Sequence, residues 1–307
     1  MNLLAIIALI PGLLIHSFII VTNIKDWRKR SITPVDHIVT FLGISRMGMQ
    51  CTKFLLVIDF ERLIRSPNPY LILEINNAVY YILTYTNIWL TTLLLVVLCL
   101  KISNVHNRLF LCLKSVILPR TGHFIVASLL LAAFNESLPY LFIDTKMTSD
   151  GSHNTTMDHQ VTDCIDISLI INFTLGSFSP LFFYFVSSIL LFSSLYHHTV
   201  KMKMSSNLSI NLETYYSAMR LVFFTFIYNT LYLIGYFVCA FYYFIQCEVP
   251  TWLDIILDFL PVLHSSFLIY RTVRLRRQMS KVLLSLIGVI LQRKDSKMRE
   301  NIEIIAH

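Results

Sequence analysis

Residues 75–100, INNAVYYILTYTNIWLTTLLLVVLCL, run for 26 positions without one charged side chain. A segment of about 20 mostly apolar residues is long enough to cross a bilayer, and only a helix can do so there, because hydrocarbon offers no hydrogen-bond partner to an unpaired backbone. Working outward from this stretch, six more of the same kind appear, at about Leu3 to Ile24, His37 to Phe60, Gly122 to Ile143, Ile167 to Tyr196, Ala218 to Gln246 and Trp252 to Tyr270. The whole composition agrees: of 307 residues 55% are hydrophobic and 14% charged, with a mean hydropathy of +0.65, too little polar surface to wrap soluble domains. The expected fold class is therefore an all-α membrane protein, a seven-transmembrane-helix bundle.

The ends of the chain read differently. The first 24 residues lack a basic flank before them and a small-residue cleavage site after them, so they are expected to be the first span rather than a removed leader. Residues 282–291 are apolar but too few to cross. Flanked by Arg274, Arg276, Arg277, Lys281, Arg293 and Lys294, they predict a short amphipathic helix lying along the membrane surface. The domain organisation expected is thus a bundle over 1–270 and a cytoplasmic amphipathic helix and tail over 271–307.

Lysine and arginine set the orientation, since basic loops stay on the cytoplasmic side. Of the 25 such residues, 19 fall in the loops after spans one, three and five and in the tail, and only Arg62, Arg65 and Lys146 fall on the opposite side. The predicted N-terminus is extracellular and the C-terminus cytoplasmic, as expected for a multi-pass protein of the plasma membrane. The net charge of +7 is distributed at span edges rather than gathered in one solvated patch, which speaks against nucleic acid as a partner. Asn154-Thr155-Thr156, in the loop between spans four and five, is a glycosylation acceptor on the side that the charges place outside. The other acceptor triplets, at Asn135, Asn172 and Asn207, fall in spans or in a cytoplasmic loop.

The six cysteines show no metal-ligand spacing, so neither a metal site nor a cofactor is expected. Cys164 and Cys247 are the two clearly extracellular ones, either free or paired with each other. Seven spans make two equal halves impossible, and no internal repeat is visible, which disfavours a transporter. A seven-span transporter or channel is nevertheless the alternative of a different class. Asp254 and Asp258 stand one turn apart on one helix rather than facing each other across two, so they do not make an intramembrane acid pair, and no enzyme activity is expected.

Several motifs narrow the class. Trp89 is followed by Leu100-Lys101-Ile102-Ser103-Asn104 and by Leu109-Phe110-Leu111-Cys112-Leu113-Lys114; span two carries Gly43-Ile44-Ser45-Arg46; span five carries Pro180 and Ser194-Leu195-Tyr196-His197-His198; span seven carries Pro261 and His264-Ser265-Ser266-Phe267-Leu268-Ile269. Together they resemble the type 2 (bitter) taste receptors, through nearly every span. His16, where that family usually has asparagine, and Tyr215-Tyr216-Ser217-Ala218-Met219 depart from the pattern and describe a divergent member. A type 1 vomeronasal receptor is the nearer alternative.

The resemblance implies a G-protein-coupled chemosensory receptor that binds small bitter-type compounds in an outer-half vestibule. Its expected partners are the small-molecule agonist, membrane lipid and a heterotrimeric G protein of gustducin-like or inhibitory type. By offset from Trp89 and Pro261 it places ligand-facing positions at Tyr80, Thr84 and Asp254, with Tyr232 as the switch aromatic; Tyr81, Tyr236 and Asp258 stand beside them. Arg46, Lys101, His264 and Ser265 are expected to face the G protein or to control activation. Arg46 lies well inside a span, where a charge costs about 3 kcal/mol or more unless it turns inward to a partner.

Asn154 alone is expected to carry a glycan: glycosidase treatment should shift the wild-type band on a gel and leave Asn154→Gln unmoved, and a shift that persists in the variant would place another acceptor outside.

Overall fold

The computed structural model describes residues 3–28, 33–58, 68–102, 108–149, 174–204, 209–246 and 250–305. Asn154, Cys164 and Cys247 lie outside the described residues, and so does the side chain of Asp254. Among the described residues there are nine α-helices and no strand. They are α1 (Leu3–Arg28), α2 (Pro34–Ile58), α3 (Pro69–Ile102), α4 (Arg108–Ile117), α5 (Thr121–Ser149), α6 (Ser179–Met204), α7 (Ser209–Gln246), α8 (Thr251–Arg271) and α9 (Val273–Ile305). A π-type turn, Thr174–Phe178, leads into α6. Seven of these helices, α1 to α3 and α5 to α8, form the predicted bundle.

Six of the seven, α2 being the exception, are long and apolar enough to cross a membrane on their own composition. The exception is explained by what α2 buries: Arg46, Ser45 and Gln50 are all under a tenth exposed, turned into the bundle instead of toward lipid. The start of α2 is well capped. Thr33 and Asp36 cap each other: the Thr33 amide and hydroxyl donate to Asp36 Oδ2 at 3.0 and 2.8 Å, and the Asp36 amide donates back to Thr33 Oγ1 at 3.4 Å. Pro34 occupies the first helical position, where its missing N–H costs nothing.

α3 is the centre of the packing, lying against α2, α5 and α6, and its buried run from Thr84 to Leu95 is broken only at Trp89. α1 packs on α2 and α6 on α7. At Gly12 the end of the Gln50 side chain lies against α1, and a Cβ there would collide with its amide.

Two compact units divide at Ser265/Ser266, inside α8. The second unit holds a longer helix than expected. The apolar segment 282–291 is the middle of α9, a helix of 33 residues rather than a short one. Its flanks are rich in Arg, Lys, Glu, Met and Leu, strong helix formers, and hold no proline, so nothing stops propagation on either side. Val282, Leu283, Leu284, Ile287, Val289 and Leu291 are exposed on it.

Thr33→Ala removes one half of the α2 cap and should cost about 1 kcal/mol, read as a lower melting temperature of the detergent-solubilised protein, while Thr33→Ser should melt like wild type.

Candidate functional site

Arg46 organises the interior. Its side chain has no exposed surface, and its guanidinium reaches three helices: Nε donates to Asn87 Oδ1 on α3 at 2.8 Å, Nη1 to Ser265 Oγ on α8 at 2.8 Å and more loosely to the Pro261 carbonyl at 3.5 Å, and Nη2 to the Tyr228 hydroxyl on α7 at 3.5 Å. The fixed fork of donors is what lets one residue hold three directions at once. The Tyr228 ring also lies 5.7 Å from the guanidinium carbon, and His264 stacks on that ring at 4.2 Å between centroids.

α1 joins through His16, whose Nδ1 lies 3.3 Å from Gln50 Oε1 and whose Nε2 lies 3.0 Å from Ser265 Oγ. A carbonyl oxygen can only accept, so Nδ1 carries the hydrogen and Nε2 accepts the Ser265 O–H. Ser265 is left with a lone pair for Arg46, and the bonds around it are mutually consistent. Beside Asn87, a cavity of about 20 Å³ is lined by Thr91, Thr92, Tyr184, Asn229 and Tyr232, extending the polar interior toward α6 and α7.

Two helical turns away, toward the end of α2 and the start of α8, the two helices meet again. Lys53 Nζ lies 2.8 Å from Asp258 Oδ1 and 2.7 Å from Oδ2, and 5.9 Å from the centre of the Tyr80 ring on α3. Both pairs step by seven residues on each helix, Arg46 to Lys53 and Ser265 to Asp258, so two rungs of one antiparallel register stand about 10 Å apart. They differ in character: the Arg46 rung is sealed, whereas Lys53 and Asp258 keep 21% and 17% of their side-chain surface.

The ligand-facing residues expected from the sequence are distributed unevenly around this second rung. Tyr80 and Asp258 are brought together by Lys53. Tyr232 is buried in a cluster with Tyr85, Ile88 and Ala132, packed by Ile82, Leu257 and Leu260, and the Tyr236 hydroxyl donates to that of Tyr85 at 3.4 Å. Thr84 is 2% exposed, its hydroxyl donating to the Tyr80 carbonyl at 2.8 Å. Tyr81 touches the Tyr80 ring edge-on at 5.6 Å and is 42% exposed. Of the residues expected to control activation, Arg46, His264 and Ser265 share one buried cluster, and Lys101 is exposed at the far end of α3. Lys53, Gln50 and Asn87 are the participants the sequence does not single out. The matched seven-residue spacing on spans two and seven is the signal that points to Lys53.

The bundle with its sealed cationic hub has the rhodopsin-type architecture of seven-helix receptors: it superposes on squid rhodopsin with a TM-score of 0.64 at 13% identity, over 93% of this chain and 85% of that one. That likeness defines the class by fold. The sequence carries it further, because residues 1–287 match the family described as Taste receptor protein (TAS2R). Taste receptor type 2 member 125 of Rattus norvegicus is 29% identical over 296 residues, covering 89% of each chain. Member 50 of Homo sapiens is 29% identical over 223 residues, covering 69% of this chain and 71% of its own. The chain belongs to the type 2 taste receptor family, and is a G-protein-coupled chemosensory receptor and a multi-pass membrane protein.

Arg46→Ala strips the hub from Asn87, Ser265 and Tyr228 and should destabilise the bundle by about 3 kcal/mol, seen as a lower melting temperature in detergent; Arg46→Lys should recover little of it, since one ammonium cannot reproduce the planar fork.

Proposed function

We propose that this receptor binds small, largely apolar bitter-type compounds in the outer half of the bundle and activates a gustducin-like or inhibitory-type heterotrimeric G protein from the plasma membrane, with its N-terminus outside and its C-terminus inside. The observation that best supports this is the pair of rungs between α2 and α8. The outer one is open enough for a ligand to touch and the inner one is closed, so a change at the first is carried along two rigid helices to the second.

No bond of the ligand is made or broken. A bound compound acts only through its different affinity for two arrangements of the bundle. Tyr80 and the aromatic cluster around Tyr232 offer apolar and π surface for the body of the ligand, and polar groups near α8 fix its orientation. At the other end Lys101 and Lys114, on α3 and α4, belong to the surface that a G protein would meet once α6 and α7 part. The distribution of basic residues supports that orientation, and the names of the relatives support the ligand class.

Asp254, one turn above Asp258, is the seat for a ligand cation. Calcium release in cells co-expressing a chimeric taste G protein, screened against bitter compounds, tests the reading. Asp254→Asn should lower the potency of cationic agonists by roughly ten- to hundredfold and leave neutral ones nearly unchanged. Equal losses for both classes would make the residue a support of the helix rather than a contact.

A further inference from the structure

The cavity beside Asn87 is small, but its polar walls come from three helices. Its volume is about 20 Å³, and one water needs about 10 to 15 Å³ of such space, so a single water fits and an organic ligand does not. Two of the walls are the Tyr184 hydroxyl on α6 and the Asn229 side-chain nitrogen on α7. Both residues are buried, at 2% and 9% exposure, and neither atom has a hydrogen-bond partner among the described residues. Both can donate. The other two polar walls belong to α3, and each has already used its hydrogen: the Thr91 hydroxyl donates to the Asn87 carbonyl at 2.7 Å and the Thr92 hydroxyl to the Pro180 carbonyl at 3.2 Å. What these two have left are lone pairs.

We propose that this cavity is a binding site for one ordered water, which accepts from Tyr184 and Asn229, donates to Thr91 and Thr92, and so links α3, α6 and α7. A water has two hydrogens and two lone pairs, and the walls offer two donors and two acceptors, so every group is answered. Other small occupants answer only half of them. A halide would satisfy the donors and leave the threonine lone pairs facing its own charge. A metal cation would take the lone pairs and meet the hydrogens of Asn229, with the Arg46 guanidinium on the far side of Asn87 repelling it. Leaving the walls dry would strand a hydroxyl and an amide away from water, which costs more than immobilising one water molecule. The site stands apart from the proposed function except in one consequence: where α6 and α7 part on activation, this water is a link between them that has to be given up.

The site is tested first by pulsed X-ray radiolysis of the purified full-length receptor, read by mass spectrometry. Radicals formed from a bound water oxidise the side chains beside it, whereas radicals from bulk solvent do not reach a sealed ring. Tyr184 should be oxidised well above Tyr85, which is also buried, at 4% exposure, and in Asn229→Leu it should fall to the level of Tyr85. Thermal melting in detergent is the second measurement. Tyr184→Phe and Asn229→Leu should each lower the melting temperature by about 2 °C or more, and the double variant no further than the larger single, because either change breaks the same linked group.

A rise in melting temperature on Tyr184→Phe overturns the site, since deleting a buried polar group that has no partner relieves a cost. Tyr184→Phe removes one atom and keeps the shape of the ring, so this arm stands even where Asn229→Leu fails to fold. Coupled melting with Tyr184 oxidised no more than Tyr85 also overturns it, in favour of a direct bond between the two side chains. Higher calcium release without agonist in the double variant supports the link between α6 and α7, and unchanged release overturns that consequence while the water site stands on radiolysis and melting. A wild-type receptor that answers no bitter compound defeats the proposed function and leaves both physical measurements as they are.

Discussion

A guanidinium with no exposed surface, in the middle of a bundle surrounded by lipid, is the constraint that everything else here answers to. Lipid cannot hydrate it, so its donors must all find acceptors within reach, and these come from α3, α7 and α8. That requirement sets where the helices stand. α2 must turn its polar face inward, Ser265 must supply a lone pair, and His16 must carry its hydrogen on Nδ1 so that Ser265 can pass its own hydrogen to Nε2. The cluster is costly if only half satisfied, which is why such a hub specifies one arrangement over its neighbours.

The same demand explains the composition of the helices. α2 alone of the seven falls short of a membrane span by composition, and it is tolerated because α1, α3 and α5 pack on it while α3, α7 and α8 supply partners to Arg46. α3, buried over most of Thr84 to Leu100, is the axis against which α2, α5 and α6 pack, and three of its threonines return their hydroxyls to carbonyls one turn back instead of leaving them bare: Thr84, Thr86 and Thr91 all do so at 2.7 to 2.8 Å, while Thr92 donates across to the Pro180 carbonyl of α6 at 3.2 Å. Lipid-facing positions on α6 and α7 are by contrast plainly apolar. Phe182, Phe183, Ile189, Phe223, Ile234 and Phe237 are all more than half exposed, as a helix in hydrocarbon requires.

The two rungs between α2 and α8 give the receptor two kinds of polar contact in one register. A sealed hydrogen-bonded hub resists small perturbations, whereas an ion pair with part of its surface open responds to what approaches it. The two rungs are thus two local polar contacts of different exposure on one pair of helices.

What the sequence by itself determined is what one-dimensional patterning can carry: the number of spans, most of their limits, the class, the family, and the inward turn of Arg46, which follows from the cost of a charge in lipid whatever the neighbours are. The motifs also marked His264 and Ser265 without saying that they would lie in the same buried cluster as Arg46. Only the tertiary structure decided the partners. That Asp258 belongs to Lys53, that His16 closes on Ser265, and that Asn87 takes the guanidinium Nε depend on the relative rotation and stagger of helices far apart in the chain, and hydropathy, blind to both, reads each helix as if alone. The length of α9 was hidden for a related reason: its apolar centre shows in the sequence, but a helix continues through polar flanks wherever backbone propensity allows it, and propensity is local rather than periodic.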